Sequence, residues 1–157
     1  MNYQVAFMKK NNGYRGYIGS REYNNYFAPH HVQNLVIRDY CKRNNLDYFL
    51  SVTEYTMHGS YVMLEEIMRE LSNLDGIVMH SIFMLPEERS YRQKIYKNVF
   101  DQKASIHGAL ENISINDLES SQKVEDIIEI NRLMKKKDSV QKLNLDPKVR
   151  KGNWEWL

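Results

Sequence analysis

The chain has 157 residues, and 22 Lys and Arg against 20 Asp and Glu leave a formal net charge of +2. The length suits one domain with a real core, and the near balance argues against a protein devoted to the phosphate backbone of nucleic acid, though not against a local basic patch. The single cysteine, Cys41, excludes an internal disulfide, and the apolar runs are too short for a signal peptide or a membrane span, so a cytoplasmic protein with no membrane insertion is expected.

Tyr3, Val5 and Phe7 alternate with polar residues, as in a short edge strand, and Lys9 to Gly13 reads as a turn. Tyr14 to Ser20 is the first full strand, followed by a long Asn- and Tyr-rich loop to Pro29. Long ordered loops inside compact domains are often functional. From Pro29 to Asn44, Val32, Leu35, Val36 and Tyr40 recur at helical spacing. Asp47 to Thr53 reads as a short buried strand, and Val62 to Leu71 as a helix presenting Leu64, Ile67, Met68 and Leu71. Gly76 to Ser81 is a nearly continuous apolar run, of the kind covered by helices on both faces.

A helix is expected from about Arg89 to Lys103, with Tyr91, Ile95, Val99 and Phe100 inward, then a strand from Ser105 to Leu110. Glu111 to Ile115 leads into a long last helix with a wide apolar stripe between 124 and 134, ending in three lysines at 135–137. The expected organisation is a single α/β domain over 1–137 and a C-terminal tail over 138–157, docked through Trp154 and Trp156. The wide stripe suits a homodimer or higher homo-oligomer.

Alternating strands and helices imply a three-layer α/β fold with a mainly parallel four- or five-stranded sheet and a long C-terminal helix. Ligands of such sheets bind at the carboxyl ends of the strands, near a switch in strand order. That rule selects residues. Ser20 and Arg21 follow the first strand; Glu54, His58, Ser60 and Tyr61 the second; His80 and Ser81 close the third; Glu111 follows the fourth; Arg89 and Arg92 open the third helix. The expected catalytic group is His80, His58, Glu54 and Ser20, with histidine as acid or base near neutral pH. Arg21, Ser60, Tyr61, Ser81, Arg89, Arg92 and Glu111 are expected to hold the substrate, the arginines through an anionic group. His107 reads as a packed core residue, and His30 and His31 as solvated or packed. There is no P-loop, no G-x-G-x-x-G and no zinc spacing, so no metal ligands are assigned and the cofactor is left unknown.

R-G-Y-I-G-S (15–20), V-Q-N-L-V-I-R-D-Y-C (32–41), H-G-S-Y-V-M-L-E (58–65), D-G-I-V-M-H-S-I-F-M-L-P (75–86) and H-G-A-L-E-N (107–112), in that order, resemble the bacterial sporadic carbohydrate cluster family. That resemblance implies work in surface-carbohydrate biosynthesis, on lipopolysaccharide, capsule or another cell-surface glycan. It leads to the expectation of a sugar or sugar-nucleotide bound at the strand ends and of no nucleic-acid partner. The alternative is a non-catalytic partner or regulator of a glycan-biosynthesis enzyme.

A more distant resemblance is to the catalytic domain of serine recombinases, a resolvase-like and flavodoxin-like arrangement. There a strand of the form Y-x-R-x-S ends in the nucleophile, which falls here on Ser20 after Tyr17-Ile18-Gly19. The family's D-R-x-x-R phosphate clamp corresponds to Phe83-Met84-Leu85-Pro86-Glu87, which holds no arginine. The resemblance therefore implies the fold without strand exchange.

Overall fold

The computed structural model describes residues 12–144; the edge strand expected at 3–7 and the tryptophan-rich end at 154–157 lie outside the described residues. The chain runs β1 (Tyr14–Gly19), α1 (His30–Arg43), β2 (Tyr48–Glu54), α2 (Val62–Glu70), β3 (Gly76–Met79), α3 (Arg89–Asp101), β4 (Ser105–Gly108), β5 (Ile113–Ile115) and α4 (Leu118–Asn144). Short 3-10 turns at Leu71–Asn73 and Ile82–Met84 flank β3. The described residues up to Ser121 form one compact unit, and those from Gln122 another.

Hydrogen bonding orders the strands β2-β1-β3-β4-β5. The first four are parallel and β5 runs antiparallel to β4. This is the expected α/β fold with a mainly parallel five-stranded sheet. The step from β1 to β2 runs one way across the sheet, and the steps to β3 and β4 run the other way. Right-handed crossovers therefore place α1 on one face and α2 with α3 on the other. On the α1 face, Ile18 and Val78 meet Ile37, Tyr40 and Cys41. Tyr17, Ile77 and Met79 alternate with those strand residues and are fully buried.

Several elements differ from expectation for identifiable reasons. In α1 the buried residues are Gln33, Ile37, Tyr40 and Cys41, while Leu35 is 62% exposed. The inward face is rotated because Gln33 finds hydrogen-bond partners below the helix. β2 is one of the two outer strands among those described rather than a buried one, and it leaves Phe49 and Leu50 exposed. Residues Ile113–Ile115, expected as a lead into the last helix, pair as β5, and the strand before them ends at Gly108. A tight turn with Asn112 at φ 56 reverses the chain there. In α3, Arg92 and Tyr96 are buried beside Ile95 and Val99. α4 continues as helix through 138–144. Its outer residues Ile130, Leu133, Met134 and Val140 are exposed.

Candidate functional site at the β1 and β3 ends

In a sheet ordered 2-1-3-4-5 the chain leaves β1 toward one side and β3 toward the other, which opens a crevice between their carboxyl ends. Gly19-Ser20 and His80-Ser81 stand at that crevice, because Tyr17 of β1 is in register with Met79 of β3.

Ser20 Oγ lies 2.8 Å from Nε2 of His30, the first residue of α1. With its proton on Nδ1, this imidazole accepts the serine hydroxyl hydrogen, an arrangement suited to an activated nucleophile. Both groups are held from behind by Gln33, which is 2% exposed. Its Oε1 accepts from the Gly19 N–H at 3.0 Å, and its Nε2 donates to the carbonyls of Gly19 and Ala28, both at 2.7 Å. One amide thus ties the residue before Ser20 to a residue just ahead of His30. The first turn of α1 contains no acid and no side chain caps it, so the positive end of the helix dipole is uncompensated beside Ser20. Gly19 must lack a side chain, since a Cβ there would stand 2.1 Å from the Tyr23 hydroxyl.

Between Ser20 and His30 the loop makes a tight reversal. Tyr23 and Tyr26 exchange backbone hydrogen bonds of 2.9 Å around Asn24 and Asn25, both with positive φ, as two-residue hairpins require. Tyr26 stacks on His80 with centroids 6.2 Å apart. His80 is 4% exposed, and its Nε2 is buried without a hydrogen-bond partner among the described residues. Burial holds its pKa below the usual histidine value, with the Glu111 carboxylate pulling the other way.

The remaining expected residues form separate constellations. Ser81 donates to Glu111 at 2.6 Å and accepts from the Phe83 N–H, while Glu111 also accepts from the Ile82 N–H at 3.0 Å; together they cap the 3-10 turn after β3. Glu54 is fully buried and accepts from the Tyr17 hydroxyl and from the N–H groups of Tyr55, Met63 and Leu64. Ser60 donates to it at 3.5 Å. Glu54 therefore holds the start of α2. The Tyr17 hydroxyl, buried and bonded to this carboxylate, has its pKa driven far up.

Arg21 is engaged by the β2–α2 loop. It lies between the rings of Tyr23 and Tyr61, 5.3 and 5.0 Å from their centroids, and donates to the Met57 carbonyl at 2.5 Å. Burial raises the Tyr61 pKa, with Arg21 opposing, and pushes Tyr23 up to about 12. His58 is exposed and lines a cavity of about 250 Å³ with Tyr61, Glu87, Glu88 and Tyr91, apart from the crevice. Arg92 is buried and donates to the carbonyls of Pro86 and Glu87, and Arg89 is exposed at the start of α3. Among the described residues no three His, Cys, Asp or Glu side chains are placed to hold a metal ion.

Of the expected site residues, the structure thus brings Ser20 and His80 to the crevice, with Ser81 and Glu111 bonded to each other beside it. Glu54 ends β2, and Ser60, Tyr61 and His58 lie in the β2–α2 loop, which Arg21 reaches from the β1–α1 loop; Arg89 and Arg92 lie in α3. Sequence reasoning missed Tyr26, the pairing of His30 and the part Gln33 plays. The available signal was a glutamine on the buried side of the first helix after a strand ending in Gly-Ser.

No protein-family model matches the chain, including any for the carbohydrate cluster resemblance, and no curated protein matches it. Solved structures do. The N-terminal catalytic domain of TP901-1 integrase is similar at a TM-score of 0.55 and 14% identity, over 78% of this chain and 97% of that one. A resolvase family site-specific recombinase from Streptococcus pneumoniae is similar at 0.55 and 10% identity, over 83% of this chain and 98% of that one. These likenesses show a resolvase-like fold. They overturn the expectation of a lipopolysaccharide, capsule or other surface-carbohydrate role with a sugar or sugar-nucleotide ligand, and with it the exclusion of nucleic acid. Net charge, which also argued against nucleic acid, is a sum over the whole chain and is blind to where charges and helix ends sit.

Proposed function

We propose that this chain is a resolvase-fold protein that cleaves phosphodiesters of nucleic acid through Ser20. The observation that carries the reading is the 2.8 Å contact between Ser20 Oγ and His30 Nε2 at the strand-order switch. The resemblance of Tyr17-Ile18-Gly19-Ser20 to the serine-recombinase strand that ends in the nucleophile supports it. His30 takes the hydroxyl proton as Ser20 Oγ bonds to phosphorus. The P–O bond to the leaving strand breaks, and the departing oxygen takes that proton from His30. The phosphate charge faces the uncapped first turn of α1. The stretch corresponding to the arginine clamp holds no arginine, with Met84 fully buried and Glu87 exposed, so the reading does not extend to strand exchange. A cytoplasmic setting is part of this reading, supported by the buried, unpaired Cys41; no described helix is long and apolar enough to cross a membrane.

A fluorophosphonate probe tests the nucleophile, and nicking of single-stranded circular DNA and of supercoiled duplex DNA, with trapping of a protein–DNA adduct, tests the substrate. Labelling is expected at Ser20, absent in Ser20→Ala and slowed about 10²–10⁴-fold in His30→Ala, the range typical of losing a positioned acid–base group. Labelling elsewhere, or nicking that survives Ser20→Ala, overturns the reading.

A further inference from the structure

The loop between Ser20 and His30 carries two large aromatic side chains that the core does not use. Tyr26 is 50% exposed and Phe27 is 53% exposed. Single exposed apolar residues are ordinary, but these two are adjacent in the loop whose ends, Ser20 and His30, meet at 2.8 Å. The Tyr23–Tyr26 bridge holds the reversal, Gln33 holds the Ala28 carbonyl, and Tyr26 rests at an interplanar angle of 17° on the buried ring of His80. The Tyr26 ring and the backbone on either side of Phe27 are therefore set before any ligand arrives, which lowers the entropy lost on binding. The surroundings are polar: Ser20, His30, His31 and the open end of α1. A protein partner would need a contiguous apolar area of several hundred Å², larger than two rings offer. Two rings next to an anion-favouring helix end instead match a nucleotide, whose base presents a flat face and whose phosphate carries the charge.

We infer that Tyr26 and Phe27 form a stacking platform for unpaired bases, making single-stranded nucleic acid the substrate class seated at Ser20. The inference rests on the reading of Ser20 and His30 as a phosphodiester site and narrows its substrate. A duplex hides its base faces inside its own stack, so the platform gives it nothing to hold.

Fluorescence anisotropy with a labelled oligothymidine, alongside a duplex of equal length, tests it. The single strand should bind more tightly than the duplex. Tyr26→Ala and Phe27→Ala should each weaken single-strand binding by about five- to a hundredfold, as loss of one stacking ring does. Tyr26→Phe, which keeps the ring, should restore it. Phe27→Ala carries the test if Tyr26→Ala fails to fold, since Phe27 has half its surface in solvent. Equal or tighter duplex binding, binding unchanged in Tyr26→Ala/Phe27→Ala, or no oligothymidine binding by the intact chain overturns the platform. Probe labelling separates the two ideas. Labelled Ser20 with ring-independent binding overturns the platform and leaves the nucleophile standing. Ring-dependent binding without labelling keeps the platform and removes the nucleophile.

Discussion

Gln33 sets the geometry of the crevice at the residue scale. A buried primary amide is costly unless its donors and acceptor are used, and here one acceptor and both donor directions go to backbone groups of Gly19 and Ala28. Gln33→Leu keeps similar bulk but strands the Gly19 N–H and two carbonyls. It should destabilise the fold by about 2–4 kcal/mol in urea unfolding, the cost of leaving buried backbone groups unpaired. It should also slow probe labelling of Ser20 in the fraction that remains folded. A neutral stability change would mean that water replaces the amide. Gly19 is the matching constraint on the strand side, because the Tyr23 ring occupies the space a side chain would need.

At the scale of elements, the loops after the strands are organised by carboxylates acting as caps. Glu54 is the last residue of β2, and it turns back to accept from Met63 and Leu64 at the start of α2, which has no cap from its own preceding residue. A negative group there also meets the positive end of the helix dipole. Glu111 does the same for the turn after β3. These two glutamates read from the sequence as site residues, and their geometry gives each a structural partner for its oxygens. Glu54→Gln replaces one acceptor oxygen with a donor facing N–H groups. A loss of about 2–3 kcal/mol is expected, with Ser20 labelling per folded molecule unchanged. A normal melting temperature combined with abolished labelling would instead make Glu54 part of the chemistry.

The whole molecule carries a pH dependence through its buried histidines. His107 in β4 is bonded to the Tyr40 hydroxyl at 2.8 Å and the Ser105 hydroxyl at 2.9 Å, and burial lowers its pKa to about 4. The unfolded chain takes up this proton near the ordinary value of 6.5, while the folded chain resists it down to about 4. Stability from His107 is therefore complete above 6.5 and is lost as pH falls from 6.5 toward 4, by about 3 kcal/mol over the window. His80, also held low by burial, adds to the same slope. Unfolding free energy measured from pH 7.5 to 4.5 should decline, and His107→Gln should flatten part of that decline. An unchanged slope in the variant would assign the acid sensitivity to other groups.

Alternation of apolar runs and helical spacing determined the succession of strands and helices through β4, the mainly parallel sheet and the burial of Gly76–Met79 on both faces, because a strand covered on both faces must be apolar throughout. Gly19-Ser20 at a strand end was equally legible. Only the tertiary structure decided that Gln33 is buried while Leu35 is exposed, since a polar side chain is buried only when partners far along the chain satisfy it. It alone decided that β2 is an outer strand among those described, that Glu54 is spent on a helix start and that His30 reaches Ser20. Periodicity records which face of an element is apolar. It does not record strand order or the side-chain bonds that fold-level proximity creates, and those two things define the crevice.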